Sequence, residues 1–184
     1  MKVEINKSMK LSEHFTLGEL CKTKHDTEDG NIPSRVAIEN LKRICENWLE
    51  DLRYSYNMLY VHSGVRPQSK VAGDCTLAPD PGAAPASRKE EPIVINSGYR
   101  SPEVNRLAGG AKTSNHLSGC AVDIRCVGKE QMIRYASILV DIADGTKQDF
   151  DELLLEQHGN ICWLHFAVRP PSQGNRRKID FLKG

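Results

Sequence analysis

The segment FDELLLEQHGNICWLHFAV, residues 150–168, restricts the fold more than any other stretch of the chain. Two apolar runs of strand length flank Gly159 and Asn160, which suit the tip of a tight hairpin. Two further strands are read upstream: PIVINSG (92–98) is a short apolar run ending in a turn, and CAVDI (120–124) alternates into a strand. Helices fall before and between them. In SRVAIENLKRICENWLEDLR, from Ser34 to Arg53, the residues Leu41, Ile44, Cys45, Trp48 and Leu52 recur at steps of three and four and share one helical face. SPEVNRLAGG reads as a helix capped by Ser101, with Pro102 in its first turn and Gly109 and Gly110 as its stop. GKEQMIRYASILVDIADG (128–145) reads as an amphipathic helix carried by Ile133, Ala136, Val140 and Ala143. The pattern predicts an α+β fold in which helices pack on one face of a small, mainly antiparallel sheet.

With 184 residues, 39% of them hydrophobic, the chain can bury the core of one compact domain over residues 1–184 and is short for two. The stretch VRPQSKVAGDCTLAPDPGAAPASRKEEP, residues 65–92, is rich in Pro, Gly, Ala and Ser without an apolar period, and is expected to form a flexible insert. Lys and Arg number 25 against 24 Asp and Glu, a formal net charge of +1 without a long basic run, which speaks against a nucleic-acid partner. No window is long and apolar enough to span a membrane, and MKVEINKSMKLSEHF has no signal-peptide core. The chain therefore reads as cytoplasmic when synthesised. The six cysteines, Cys21, Cys45, Cys75, Cys120, Cys126 and Cys162, form no CxxC pair and read as reduced, buried small hydrophobes.

The stretch TSNHLSGCAVDI, Thr113 to Ile124, places His116 and Asp123 near one another with the small residues Gly119 and Ala121 between them. They are either two ligands of one metal or parts of an ordinary loop and strand. Asp123 lies between apolar Val122 and Ile124, where a charge needs a partner. A catalytic zinc takes three protein ligands and keeps one position open for water. His165 is the candidate third ligand, because His14, His25, His62 and His158 lie in the N-terminal region, at the flank of the insert or at a turn tip. If Gly159 and Asn160 form a two-residue turn, Glu156 faces Trp163 and Leu154 faces His165, so Glu156 and His165 are diagonal neighbours on one sheet face. A slip of one residue would send Glu156 to the other face.

The segments SGYRSPEVNRLAGGAKTSNHLSGCAVDI and FDELLLEQHGNICWLHFAV together resemble the zinc D-Ala-D-Ala carboxypeptidase family of metallopeptidases. The motif SxHxxGxAxD is matched by Ser114, His116, Gly119, Ala121 and Asp123, and WxH by Trp163 and His165. MKLSEHFTLGEL and the helix ending LEDLR are also similar to one branch of that family, so the likeness spans the chain apart from about residues 58–91. The resemblance implies the fold shared by the vancomycin-resistance dipeptidases, certain phage endolysins and the signalling domain of hedgehog proteins. It implies one zinc per chain, held by His116, Asp123 and His165. It also implies hydrolysis of peptide bonds in bacterial peptidoglycan stems, as a D,D-carboxypeptidase or an endolysin-type endopeptidase. Action on the cell wall after phage-type release fits the same resemblance.

Such chemistry needs a carboxylate that accepts a proton from water. Glu156 is the candidate, with Glu152 and Asp151 as alternatives. Many relatives instead have a carboxylate three residues before the final histidine, or a second histidine two before it, where this chain has Cys162 and Trp163. Arg100, delivered from strand to helix, is expected to pair with a substrate carboxylate or to steady the developing oxyanion, and so to act in both catalysis and substrate binding. Ser114 is expected to hydrogen-bond in the site and Trp163 to wall the pocket. VHSGVRP (61–67), with Arg66, echoes INSGYRSP (95–102), and only the second, which runs into the histidine motif, is taken as functional. A zinc-binding module without activity, which the residue at Cys162 favours, and a metal-free structural domain are the competing readings.

Overall fold

The computed structural model describes residues 6–62 and 89–184. Most of the expected insert, with Arg66 and Cys75, lies outside the described residues. A short helix, α1 (Leu17–Leu20), opens behind Thr16, which forms a capping box with Glu19. The next helix, α2 (Arg35–Ile44), starts where Ser34 Oγ accepts the amide of Ala37 at 3.2 Å. It continues without a break through a π-helical turn (Cys45–Leu49), α3 (Glu50–Tyr56) and a second π-helical turn (Asn57–His62). The apolar stripe of Leu41, Ile44, Cys45, Trp48 and Leu52 is buried throughout. The helix predicted to end near Arg53 runs on to His62, because Tyr56 and Val61 extend the buried stripe by two more turns.

Five strands make one sheet: β1 (Ile95–Ser97), β2 (Ala121–Cys126), β3 (Glu152–His158), β4 (Ile161–Ala167) and β5 (Lys178–Lys183). Their order is β1-β2-β4-β3-β5, antiparallel except for the β3–β5 pair. The fold is α+β with helices packed against a mostly antiparallel sheet, as the sequence predicts. The hairpin closes with His158 opposite Ile161, which sets Leu154 opposite His165 and Glu156 opposite Trp163. Sequence patterning does not mark β5, since every residue from Lys178 to Lys183 is exposed. Backbone pairing to β3 is what makes it a strand.

The pleat divides the sheet into two faces. Val122, Ile124, Leu153, Leu164 and Phe166 have no exposed surface and point to the helical side. There Trp48 of the long helix stacks edge-on against Phe150 and tilted against Phe166, with ring centroids 6.3 and 5.0 Å apart. The helix α5 (Gly128–Thr146) completes this layer, with Tyr135 edge-on to Tyr56 at 4.8 Å. Its core stripe is Met132, Tyr135, Ala136, Leu139 and Ala143, while the predicted Ile133 is 58% exposed. The two stripes differ by one residue of rotation and share Ala136 and Ala143. The observed one buries the longer Met132 and Tyr135, so the helix turns that way. A helix α4 (Pro102–Leu107) is capped by Ser101, whose Oγ accepts the amide of Val104 at 3.2 Å, as predicted. The five described cysteines are free and buried. No described helix is long and apolar enough to cross a membrane.

Candidate metal centre

The opposite face of the sheet carries Asp123 on β2, Trp163 and His165 on β4, and Glu152, Leu154 and Glu156 on β3. His116 reaches it from a 3-10 turn, Asn115–Ser118, that Ser114 starts by accepting the amide of His116 at 3.3 Å. Gly119 ends that turn at φ +69°, and a Cβ there would lie 2.4 Å from the carbonyl oxygen of Ala37 in α2. Only glycine satisfies both the left-handed backbone and the close approach. Gly98, which follows β1, is pressed as closely on Leu20, whose carbonyl oxygen a Cβ would meet at 2.3 Å. The carbonyl of Gly98 in turn accepts from His116 Nδ1 at 2.5 Å, and the amide of Arg100 donates to the carbonyl of His116 at 3.1 Å. The spacing of the motif thus follows from capping, from a left-handed stop and from the strand that brings Asp123 inward.

Because His116 Nδ1–H donates to Gly98, His116 Nε2 presents a lone pair. It lies 3.2 Å from Asp123 Oδ1 and 3.2 Å from His165 Nδ1, and those two atoms are 3.0 Å apart. Three edges of that length among two imidazole nitrogens and a carboxylate oxygen cannot all hold a proton, since only His165 Nδ1 has one to offer. The same triangle suits a tetrahedral metal with ligand bonds of about 2.0–2.1 Å, which separates donors by about 3.3 Å. Two nitrogens and one oxygen are also a donor set that zinc accepts. His116, Asp123 and His165 therefore form a cluster that could hold a metal.

The surrounding residues fall into two groups. Arg100 closes on Asp123 from behind: Nη2 donates to Asp123 Oδ2, and Nε donates to Ser97 Oγ at 2.8 Å. The arginine expected to await a substrate carboxylate is thus partly committed to steadying the acidic ligand. Burial disfavours the Asp123 charge, yet His116 and His165 outweigh it and hold the carboxyl well below the usual range. Burial likewise opposes charge on His165, while Asp123 and Glu152 push its imidazole up to about 9. Asp151, weighed as a possible base, is fully buried and accepts from Asn115 at 3.0 Å, from Arg169 Nε at 3.0 Å and from Arg176 Nε and Nη2 at 2.8 and 2.7 Å. Glu152, the other alternative, accepts from Asn115 at 3.1 Å and pairs with Arg176 at 3.0 Å. Glu156 is half-buried and has neither a hydrogen-bond nor an ion-pair partner among the described residues.

Trp163 is half-buried one rung along from His165, between Arg125 on β2 and Glu156 on β3. Ser114 acts within its own turn and touches none of the three candidate ligands' donor atoms. Sequence reasoning did not find Asn115, Arg169 or Arg176. Adjacency to His116 was the available signal for Asn115; the two arginines carried none, because their partner Asp151 is met only after the chain doubles back.

No curated protein sequence matches the chain. Residues 86–152 match the family model described as Peptidase M15, a span that holds Arg100, Ser114, His116 and Asp123 and ends before Trp163 and His165. Over that stretch, about a third of the chain, the protein is similar to the M15 peptidases.

Proposed function

We propose that the protein is a zinc-dependent peptidase that hydrolyses peptide bonds in bacterial peptidoglycan stem peptides. The observation that carries this reading is the triangle of His116, Asp123 and His165 with one uncommitted carboxylate, Glu156, on the next rung of the same face. Zinc held there would lower the pKa of water at its open position to about 7 and polarise a substrate carbonyl. The remaining work falls to the chain's own side chains. Glu156 accepts the proton of that water and passes it to the departing amine. Its carboxyl is raised above the usual glutamate range, by burial first; His165 and Arg100 oppose that, and Asp123 and Glu152 reinforce it. A raised value makes it the stronger base. Arg100 holds Asp123 through Nη2 and keeps Nη1, which has no partner among the described residues, for a substrate oxygen. Trp163 walls the pocket beside Glu156.

Digestion of purified peptidoglycan with the zinc-loaded protein, followed by weighing of the fragments, tests the reading. Fragments shortened by a terminal alanine mark a carboxypeptidase, and cuts within the stem or its cross-link mark an endopeptidase. Peptidoglycan left with the same fragments as an untreated sample overturns it.

A further inference from the structure

Two carboxylates adjacent in sequence, Asp151 and Glu152, stand at the start of β3 behind His165. Like charges so close repel, and the fold answers with two arginines and an amide from distant segments. Arg176 forks onto both oxygens of Asp151 and also reaches Glu152 Oε1 at 3.0 Å. Asn115 bridges the same pair, at 3.0 Å to Asp151 Oδ2 and 3.1 Å to Glu152 Oε2. Arg169 adds a third contact to Asp151. The segment carrying Arg176 is tied down by its backbone as well, since Arg177 N donates to Phe150 O at 2.9 Å and Lys178 N to Asp151 O at 3.0 Å. Glu152 is therefore clamped from two sides. Its Oε2 lies 3.7 Å from His165 Nε2, the ring nitrogen that faces away from the triangle. That is an ion-pair separation, and a shift of about 0.7 Å would bring it to hydrogen-bond length.

We propose that Glu152, clamped by Asn115 and Arg176, is the positioning residue that orients His165 toward the metal, and that the segment following β4 thereby completes the metal site. The inference rests on the reading of His116, Asp123 and His165 as metal ligands. A histidine that binds metal through Nδ1 needs an acceptor for Nε2–H to fix its tautomer and ring angle, and Glu152 is the one acceptor beside that nitrogen among the described residues. Asn115 precedes His116 in the chain, so one side chain ties the turn that presents the first histidine to the carboxylate behind the second. Glu152 and Arg176 lie on segments with no metal ligand of their own, and Asn115 lies one position from His116.

The test compares tag-free, metal-stripped parent protein with Glu152→Gln, Arg176→Gln and, as a control on the same segment, Arg177→Gln, which pairs with Asp144 and Asp149 away from the site. Zinc affinity is read by competition with a chromophoric chelator, ligand geometry by the visible absorption of the cobalt(II)-substituted protein, and folding by the melting temperature without metal. Glu152→Gln and Arg176→Gln are expected to weaken zinc by about 10- to 100-fold and to change the cobalt spectrum, with Arg177→Gln matching the parent on both. Should Glu152→Gln fail to fold, Arg176→Gln at the exposed end of the clamp carries the same comparison. Parent-like affinity and spectrum in both variants, even with a lowered melting temperature, would reduce the clamp to a structural tie and overturn the inference while leaving the metal site standing. A parent that binds no zinc would overturn the ligand assignment and the inference with it.

Discussion

Asp123 and His165 face each other across β2 and β4, with Asp123 Oδ1 3.0 Å from His165 Nδ1. The strand register brings the two side chains to the same height on one face, and the His116 turn adds the third corner. The distant histidine is thus as much a part of the corner as the two residues of the motif. His165→Ala is expected to remove most bound zinc from a parent that carries about one per chain when purified without chelators. Metal analysis of the two proteins checks it, and equal zinc contents would exclude His165 as a ligand.

Proton competition sets the pH dependence of the site. In the metal-free protein burial lowers the His165 value, but Asp123 and Glu152 dominate and push it up to about 9 from the reference 6.5. A value raised on folding stabilises the fold fully below the unfolded value, and that contribution fades as pH climbs to about 9. Zinc must displace the same proton, so its apparent affinity is expected to rise by up to tenfold per pH unit over about pH 7 to 9. Melting temperatures with and without zinc should accordingly draw apart on going from about pH 7 to pH 9. Parallel curves over that range would contradict the coupling.

Glu156 offers a separation of chemistry from metal binding. Glu156→Gln is expected to keep the parent's zinc content and lose about 10²- to 10⁴-fold in kcat. Because burial raises the parent carboxyl, activity should fall on acidification through a value above the usual glutamate range, and this limb should vanish from the residual activity of the variant. An acidic limb that survives in Glu156→Gln would move the role of base to another group.

Gly119 gives a purely steric test of the motif. An alanine there must adopt φ near +69° and set its methyl against the Ala37 carbonyl. The left-handed backbone alone costs about 1–2 kcal/mol, and the contact adds to it. Chemical denaturation of Gly119→Ala should show at least that loss together with weaker zinc binding, since the turn presents His116. Unchanged stability would mean that α2 moves aside freely.

The sequence by itself determined the parts that depend on local periodicity and turn chemistry. The stripe from Leu41 to Leu52, the Ser34 and Ser101 caps and the Gly159–Asn160 hairpin all follow from spacing of 3.6 or 2 residues and from residues suited to caps and tight turns. The hairpin register in turn puts Glu156 and His165 on one face, since a side-chain period of two leaves no intermediate choice. The rotation of α5 was open, because Ile133 and Met132 lie on overlapping stripes and only the shape of the core beneath them selects one. Tertiary structure alone decided which carboxylate near the site stays free. Asp151, Glu152 and Glu156 are chemically alike in the sequence; Arg169 and Arg176 reach the first two only once the C-terminal segment has returned along β3, and Asn115 reaches them from the turn that presents His116. The same holds for Arg100, whose commitment to Asp123 arises from the pairing of β1 with β2. Charge partners are chosen by proximity in space, and proximity between segments so far apart in the chain exists only in the folded sheet.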